Sequence, residues 1–273
     1  MAGNVETLSV EDALFIHEVL VRDFAESGDP ISPPGVRSIA LLESAVHRQF
    51  TGSGGSLKYP DAFSNAATLM YGLCNDHPFH NGNKRTALVG MLAHLDRNRL
   101  SLQDVNQRDL YGLMIATAAH TLRPSDPRKK TTDRTRPDSD QEVATIARWL
   151  ERRCRGIVVG ERQITFRQLR RLLEGRGYTL AHPKGNSIDV LKYERVKVGF
   201  LKRREEVREK HIMSIGYPGD NKFVPIGTIK QVRRVCNLTE ADGLDSRSFY
   251  DEEAVVDGFV CRYAKILKKL ARR

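Results

Sequence analysis

The sequence predicts two domains: a mainly helical N-terminal domain and a smaller α+β domain of order α-β-β-β-α. Three observations predict this. Apolar residues recur at helical spacing through the first 122 positions. Residues 123–140, RPSDPRKKTTDRTRPDSD, then break the pattern with three prolines, alternating charge and no large apolar residue. Beyond Ile164 short extended runs take over, flanked by helical segments. The expected division is residues 1–122, a flexible linker at 123–140, and residues 141–273, because a segment without apolar groups cannot offset its ordering entropy.

In the first part, Ser9-Val10-Glu11-Asp12 forms a capping-box pattern ahead of Ala13, Leu14, Ile16, Val19 and Leu20. Residues 28–35 contain three prolines and read as a loop, and a second helix is expected over about 36–49. Thr51 to Ser56 is glycine-rich and precedes Leu57-Lys58-Tyr59. Asp61 to Asn75 places Phe63, Ala66, Ala67, Met70, Leu73 and Cys74 on helical spacing, and Asn83 to Asn98 does the same with Ala87, Leu88, Met91, Leu92 and Leu95. The histidines at 17, 47, 94 and 120 fall within helical segments and read as satisfied core or surface residues.

The chain of 273 residues carries 44 Lys+Arg against 34 Asp+Glu, a net of +10. Residues 1–122 hold 9 basic and 13 acidic side chains, net −4, and the remaining 151 hold 35 and 21, net +14. A polyanion partner, RNA in particular, is therefore expected to meet the C-terminal part, the alternative being a solvated basic surface. Four cysteines without paired spacing exclude a disulfide framework or zinc site and suit a reducing compartment. No signal pattern or membrane-length apolar run is present, so a cytoplasmic location is expected.

The chemistry concentrates in His77-Pro78-Phe79-His80-Asn81-Gly82-Asn83-Lys84-Arg85. An imidazole and a glycine-bearing loop precede a helix whose first turn carries two cations. Backbone N–H groups at a helix start, flanked by cations, suit phosphate oxygens. A histidine upstream can take the proton from a hydroxyl aimed at that phosphate.

This segment resembles the Fic/Doc superfamily, and the death-on-curing (Doc) branch in particular, on its H-x-F-x-x-G-N-K-R core continued by Thr86-Ala87-Leu88. The resemblance extends over about residues 5–122 through Gly35-Val36-Arg37-Ser38, Leu41-Leu42-Glu43-Ser44-Ala45 and Tyr59-Pro60. It implies His77 as general base toward a Ser, Thr or Tyr hydroxyl of a protein target. Phe79 is then a buried anchor, and Asn81, Gly82, Asn83, Lys84 and Arg85 bind nucleotide, with ATP or another NTP as donor. Asn81 stands where most relatives carry the acid that holds Mg²⁺, so metal affinity should fall. The second arginine of AMP-transferring relatives is replaced by Leu88, which with Lys84 favours γ-phosphoryl transfer. AMP transfer is the alternative, and a weakened nucleic-acid-binding or regulatory protein the next; phosphoryl or nucleotidyl transfer to an RNA hydroxyl is a third reading. Thr7 to Asp12, the nearest string to the family's inhibitory motif, reads as helix capping, which implies a Phd-like antitoxin in trans. The glycine-rich region at 51–57 would be the flap on which a target segment adds as a strand, or an ordinary connection.

In the C-terminal half, helices are expected over 141–155, at Phe166 to Leu173 up to Gly175, from the Gly227-Thr228-Ile229 start to near Val235, and over 249–273. Extended runs are expected at 178–181, 187–193 and 196–201, with an insertion at about 208–222. This order resembles the small HicA-like, double-stranded-RNA-binding-like domains over about 160–238. The corner where those proteins carry a catalytic histidine reads Gly185-Asn186-Ser187, so RNA cleavage does not carry over. What remains is a basic docking surface of Arg170, Arg171, Lys184, Lys192, Lys202, Arg203 and Arg204.

Overall fold

The computed structural model describes residues 5–103, 105–123, 138–157, 164–198, 204–242 and 252–271, with side chains left aside at 195–198, 204–206, 240 and 252–254. The chain divides into two compact units, residues 1–157 with 262–273, and residues 158–261.

The first unit is built on α3 (Ala62–Asn75) and α4 (Asn83–Arg97), which pack against each other. Every residue from Asn65 to Cys74 is buried, so α3 is covered on all sides and forms the centre of the unit. Around it lie α1 (Val10–Phe24), α2 (Ile39–His47) and α5 (Gln107–Ala118). The Ser9 hydroxyl accepts from Asp12 N–H while the Asp12 carboxylate accepts from Ser9 N–H, the reciprocal cap expected from the sequence. Gly72 lets α2 and α3 approach closely, since a Cβ there would meet Ala45 Cα at 2.9 Å. A short hairpin, β1 (Gly52–Ser53) with β2 (Ser56–Leu57), follows α2 through a 3-10 turn.

Buried polar groups tie these pieces together. Gln49 donates to the carbonyls of Leu8 and Val46 and accepts from Leu8 N–H. Asn65 donates to the carbonyls of Gln49 and Tyr59, which leaves its oxygen to accept from His94 Nε2 at 2.9 Å. His94 is thus a neutral imidazole protonated on Nε2, and burial holds its pKa down at about 4.

Two segments expected in the second domain belong to the first unit. Helix α6 (Ser139–Arg153) lays Val143, Ile146 and Leu150 against α3 and anchors itself through buried Glu142. The Glu142 carboxylate lies 2.8 Å from His120 Nδ1 and accepts from Leu122 N–H at 3.3 Å. Strand β4 (Cys154–Gly156) then pairs with β3 (Leu100–Leu102). The unit boundary therefore falls after residue 157 rather than at 122 or 140, because the apolar side of α6 is buried against α3. Most of the expected linker, 124–137, lies outside the described residues. The expected single C-terminal helix is two: α9 (Glu252–Arg262), which lies in the second unit up to Cys261, and α10 (Ala264–Ala271) in the first. Helix α10 buries Ile266, Leu267 and Leu270 and packs against α4 and α5.

The second unit keeps the expected α-β-β-β-α order with different strand bounds. Helix α7 (Phe166–Glu174) and helix α8 (Ile226–Val235) flank an antiparallel sheet of order β5-β6-β7. Its strands are β5 (Tyr178–Lys184), β6 (Ser187–Val198) and β7 (Arg204–Gly216). The second and third expected runs are one strand, and the third strand is the segment read as an insertion. Leu180, Ile188, Val190 and Ile215 meet Phe166, Leu169, Leu173, Ile229 and Val232 in one core. All four cysteines are free.

The buried neutral histidines make the fold acid-sensitive. His17 and His94 both have folded pKa values near 4 against an ordinary 6.5, so between those values the unfolded chain binds more protons. Stability should be full above pH 6.5 and fall by about 1.4 kcal/mol per pH unit for each histidine on the way to pH 4. Urea unfolding at pH 7.5 and pH 5 checks this, and an unchanged midpoint would contradict it.

Candidate functional site

The loop between α3 and α4 is held in one shape by the segment 35–38. The N–H groups of Arg37 and Ser38 both donate to Pro78 carbonyl, at 2.8 and 3.2 Å, and His80 N–H donates to Gly35 carbonyl at 3.1 Å. Val36 and Phe79 form a β-bridge between these bonds. Phe79 is 1 % exposed, and its ring stacks on the imidazole of His17 with centroids 4.0 Å apart and planes 9° from parallel. This is the anchor expected of Phe79.

His17 joins four pieces of chain. Gly35 N–H donates to its Nε2 at 3.3 Å, so Nδ1 carries the proton and donates to Thr86 Oγ1 at 3.1 Å. Burial, aided by the nearby Arg85 charge, lowers its pKa to about 4 and keeps the ring neutral. The sequence reading as a satisfied core histidine is right about its state and silent about its place beneath the loop.

Asn83 and Asn81 are occupied with the loop itself. The Asn83 amide accepts from Phe79 N–H and donates to Phe79 carbonyl, both at 2.9 Å. Asn81 donates to Ser32 carbonyl at 2.9 Å and accepts from Gly82 N–H at 2.6 Å. Gly82 has φ +81°, and an added Cβ would meet Ile31 Cδ1 at 3.0 Å. With glycine as N-cap, α4 begins without a side-chain capping bond, so its first-turn N–H groups are left for an outside acceptor. Lys84 lies in that turn, partly exposed.

His77 is exposed and has φ +50°, in the left-handed region that costs a non-glycine residue about 1–2 kcal/mol. The carbonyl bonds at Pro78 hold it there. Asp76, just before it and easy to overlook in the sequence, has a carboxyl pushed up by burial and pulled back by the charges of Arg48 and His77. His77, Gly82 and Lys84 are thus presented on one pinned segment.

Arg85 departs from its expected place. It is 1 % exposed, donates from Nη1 to Asp29 carbonyl at 3.0 Å and lies 5.2 Å from the centre of the Phe24 ring. Its Nε has no hydrogen-bond partner among the described residues, and burial lowers its pKa. Its charge acts from beneath the helix start.

The Asn81 oxygen already accepts a hydrogen bond, and no group of three or more His, Cys, Asp or Glu suited to a cation exists among the described residues. In the second unit three residues of the expected basic surface have acidic partners. Arg170 pairs with Asp220 at 3.0 Å and donates to Leu180 carbonyl, and Arg171 pairs with buried Asp257. Lys192 lies over the Tyr178 ring and 3.8 Å from Glu194, while Lys184 is exposed. Arg204 opens β7, and Lys202 and Arg203 lie outside the described residues. At the corner compared with HicA proteins, Gly185 turns with φ +57°, and His182 Nε2 sits 3.1 Å from Glu209.

Residues 7–95 match the family model described as the Fic/DOC family, 89 of the 273 residues. The match ends within α4, so α5, α6, α10 and the whole second unit lie beyond it. No curated protein matches the chain. Among the described residues no helix is long and apolar enough to cross a membrane.

Two substitutions test the loop. Phe79→Ala should destabilise the fold by about 3–5 kcal/mol, as buried aromatics do when truncated. Gly82→Ala should cost about 1–2 kcal/mol from the left-handed backbone alone, with the Ile31 contact added. Urea denaturation reads both, and a Gly82→Ala protein as stable as its parent would refute the conformation assigned to the loop.

Proposed function

We propose that the protein is a Doc-like transferase that moves the γ-phosphoryl group of a nucleoside triphosphate onto a hydroxyl of a cytosolic protein, within a toxin–antitoxin pair. The observation that carries this reading is the juxtaposition on one pinned loop of an exposed imidazole, at His77, and an α4 N-terminus without a side-chain cap, at Gly82. The match of residues 7–95 to the Fic/DOC family supports it.

In this reading the first-turn N–H groups of α4 and the Lys84 ammonium hold the donor's phosphates. Arg85 adds positive potential from below without touching them. Asn81 and Asn83 keep the backbone N–H groups aimed, since their amides are bonded within the loop or to its support. His77 takes the proton of the incoming Ser, Thr or Tyr hydroxyl as its oxygen attacks the γ-phosphorus, and the bond to the bridging oxygen breaks to release the nucleoside diphosphate. Any Mg²⁺ arrives with the nucleotide phosphates, because Asn81 brings no carboxylate. The β1–β2 hairpin is the surface for the target's extended segment, and a Phd-like partner in trans restrains the enzyme. Residues 158–261 serve recruitment of a translation-related target.

AMP transfer is disfavoured by Leu88 at the place of a second arginine. A second reading, a site too weak to transfer anything, is favoured by the two bonds that occupy Asn81 and by the burial of Arg85.

Incubation with a cytosolic extract and either γ- or α-labelled ATP separates these readings. Label from γ-ATP on a protein band, reduced at least ~100-fold by His77→Ala, is the expected result. Label from α-ATP alone would establish AMP transfer. No label from either would leave the second reading.

A further inference from the structure

The net charge of +14 beyond residue 122 suggests a basic second domain, but the fold distributes it otherwise. Residues 158–261 hold 19 basic and 15 acidic side chains, a net of only +4. The excess lies on flanks that fold into the first unit. Residues 148–157 and 262–271 together carry 8 basic side chains and one acidic, Glu151.

Both segments fold into the first unit although they are more than 100 positions apart in sequence, and Cys154 and Tyr263 are buried within it. Gln107 at the start of α5 donates to Arg262 carbonyl, while the Ile157 N–H beyond β4 donates to Arg99 carbonyl beside β3. The apolar sides of α6 and α10 face inward, which turns Arg148, Arg152, Arg155, Lys265, Lys268 and Lys269 outward, all exposed. None of the six has an acidic partner among the described residues. Among the described residues Arg155 and Arg148 bond to nearby carbonyls, and Arg153 lies over the Trp149 ring.

We propose that this α6–β4–α10 face is a docking surface for the phosphate backbone of a nucleic-acid duplex, carried by the same unit as the His77 loop. Eight cations against one acid on these two segments complement a polyanion. An anionic membrane is the poorer fit, since none of the exposed large apolar side chains among the described residues lies on α6, β4 or α10, so nothing is there to insert. Among the described residues the face is built of helix sides and a short strand, none of which projects to enter a groove. Contacts are therefore to phosphates and carry no sequence preference. The inference does not depend on which group, if any, His77 helps to transfer.

The test is fluorescence anisotropy of the full chain with a DNA duplex and an RNA duplex of about 20 base pairs, from about 50 to 200 mM salt. Binding to either duplex, with affinity falling steeply with salt, is expected. Arg155→Gln with Lys265→Gln and Lys268→Gln should weaken it at least ~10-fold and lower the log–log salt slope by about 0.9 for each phosphate no longer neutralised. Lys184→Gln with Lys210→Gln in the second unit should leave it unchanged. Thermal melting confirms that each variant is folded, and Lys265→Gln with Lys268→Gln alone serves if the triple variant is not. No binding to either duplex at about 50 mM salt would overturn the proposal. So would binding only to vesicles of anionic lipid, or binding abolished by the second-unit pair and retained by the first-unit variants.

Discussion

The functional loop depends on a clip between two stretches of backbone. Residues 35–38 bond to residues 78–80, and the Phe79 ring between them closes onto His17. Removing the ring would empty the space over His17 and release the loop from α1. Because His17 must accept from Gly35 and donate to Thr86, it has to stay neutral, and its burial ensures that. The start of α4 thus rests on an uncharged histidine beside a buried arginine. Arg85 would repel a protonated ring at this distance, which is one reason the imidazole is held neutral.

The asparagines of the loop each donate one hydrogen bond and accept another. Asn83 binds both backbone groups of Phe79, and Asn81 bridges Ser32 and Gly82. An aspartate in place of Asn81 would retain the bond from Gly82 N–H but would set a carboxylate oxygen against the Ser32 carbonyl. The amide thus gives the loop a donor to Ser32 that a carboxylate would lack.

The helices of the first unit were legible because their apolar spacing, capping residues and glycines act over a few positions. Ser9 with Asp12, the end of α3 at Asn75 and the start of α4 at Asn83 all fall where the sequence places them. The strands of the second unit were less legible. β6 and β7 are held by cross-strand pairing whose register no local pattern states, so a charged segment such as Arg208–Lys210 looked like an insertion and is an edge strand. The assignment of segments to units failed for a related reason. Amphipathic α6 declares an apolar side, and only the packing shows that α3 covers it.

By itself the sequence determined the loop chemistry: which residue is the imidazole, where the glycine frees the backbone, and which ring is the anchor. Those features are set by residue type at short range. Tertiary structure decided which side chains face outward. It drew Arg85 under Phe24 and Asp29, committed Arg170 and Arg171 to ion pairs, and gathered the cations of α6, β4 and α10 on one unit. A charge's partners depend on residues brought near by packing, and linear order holds no record of that.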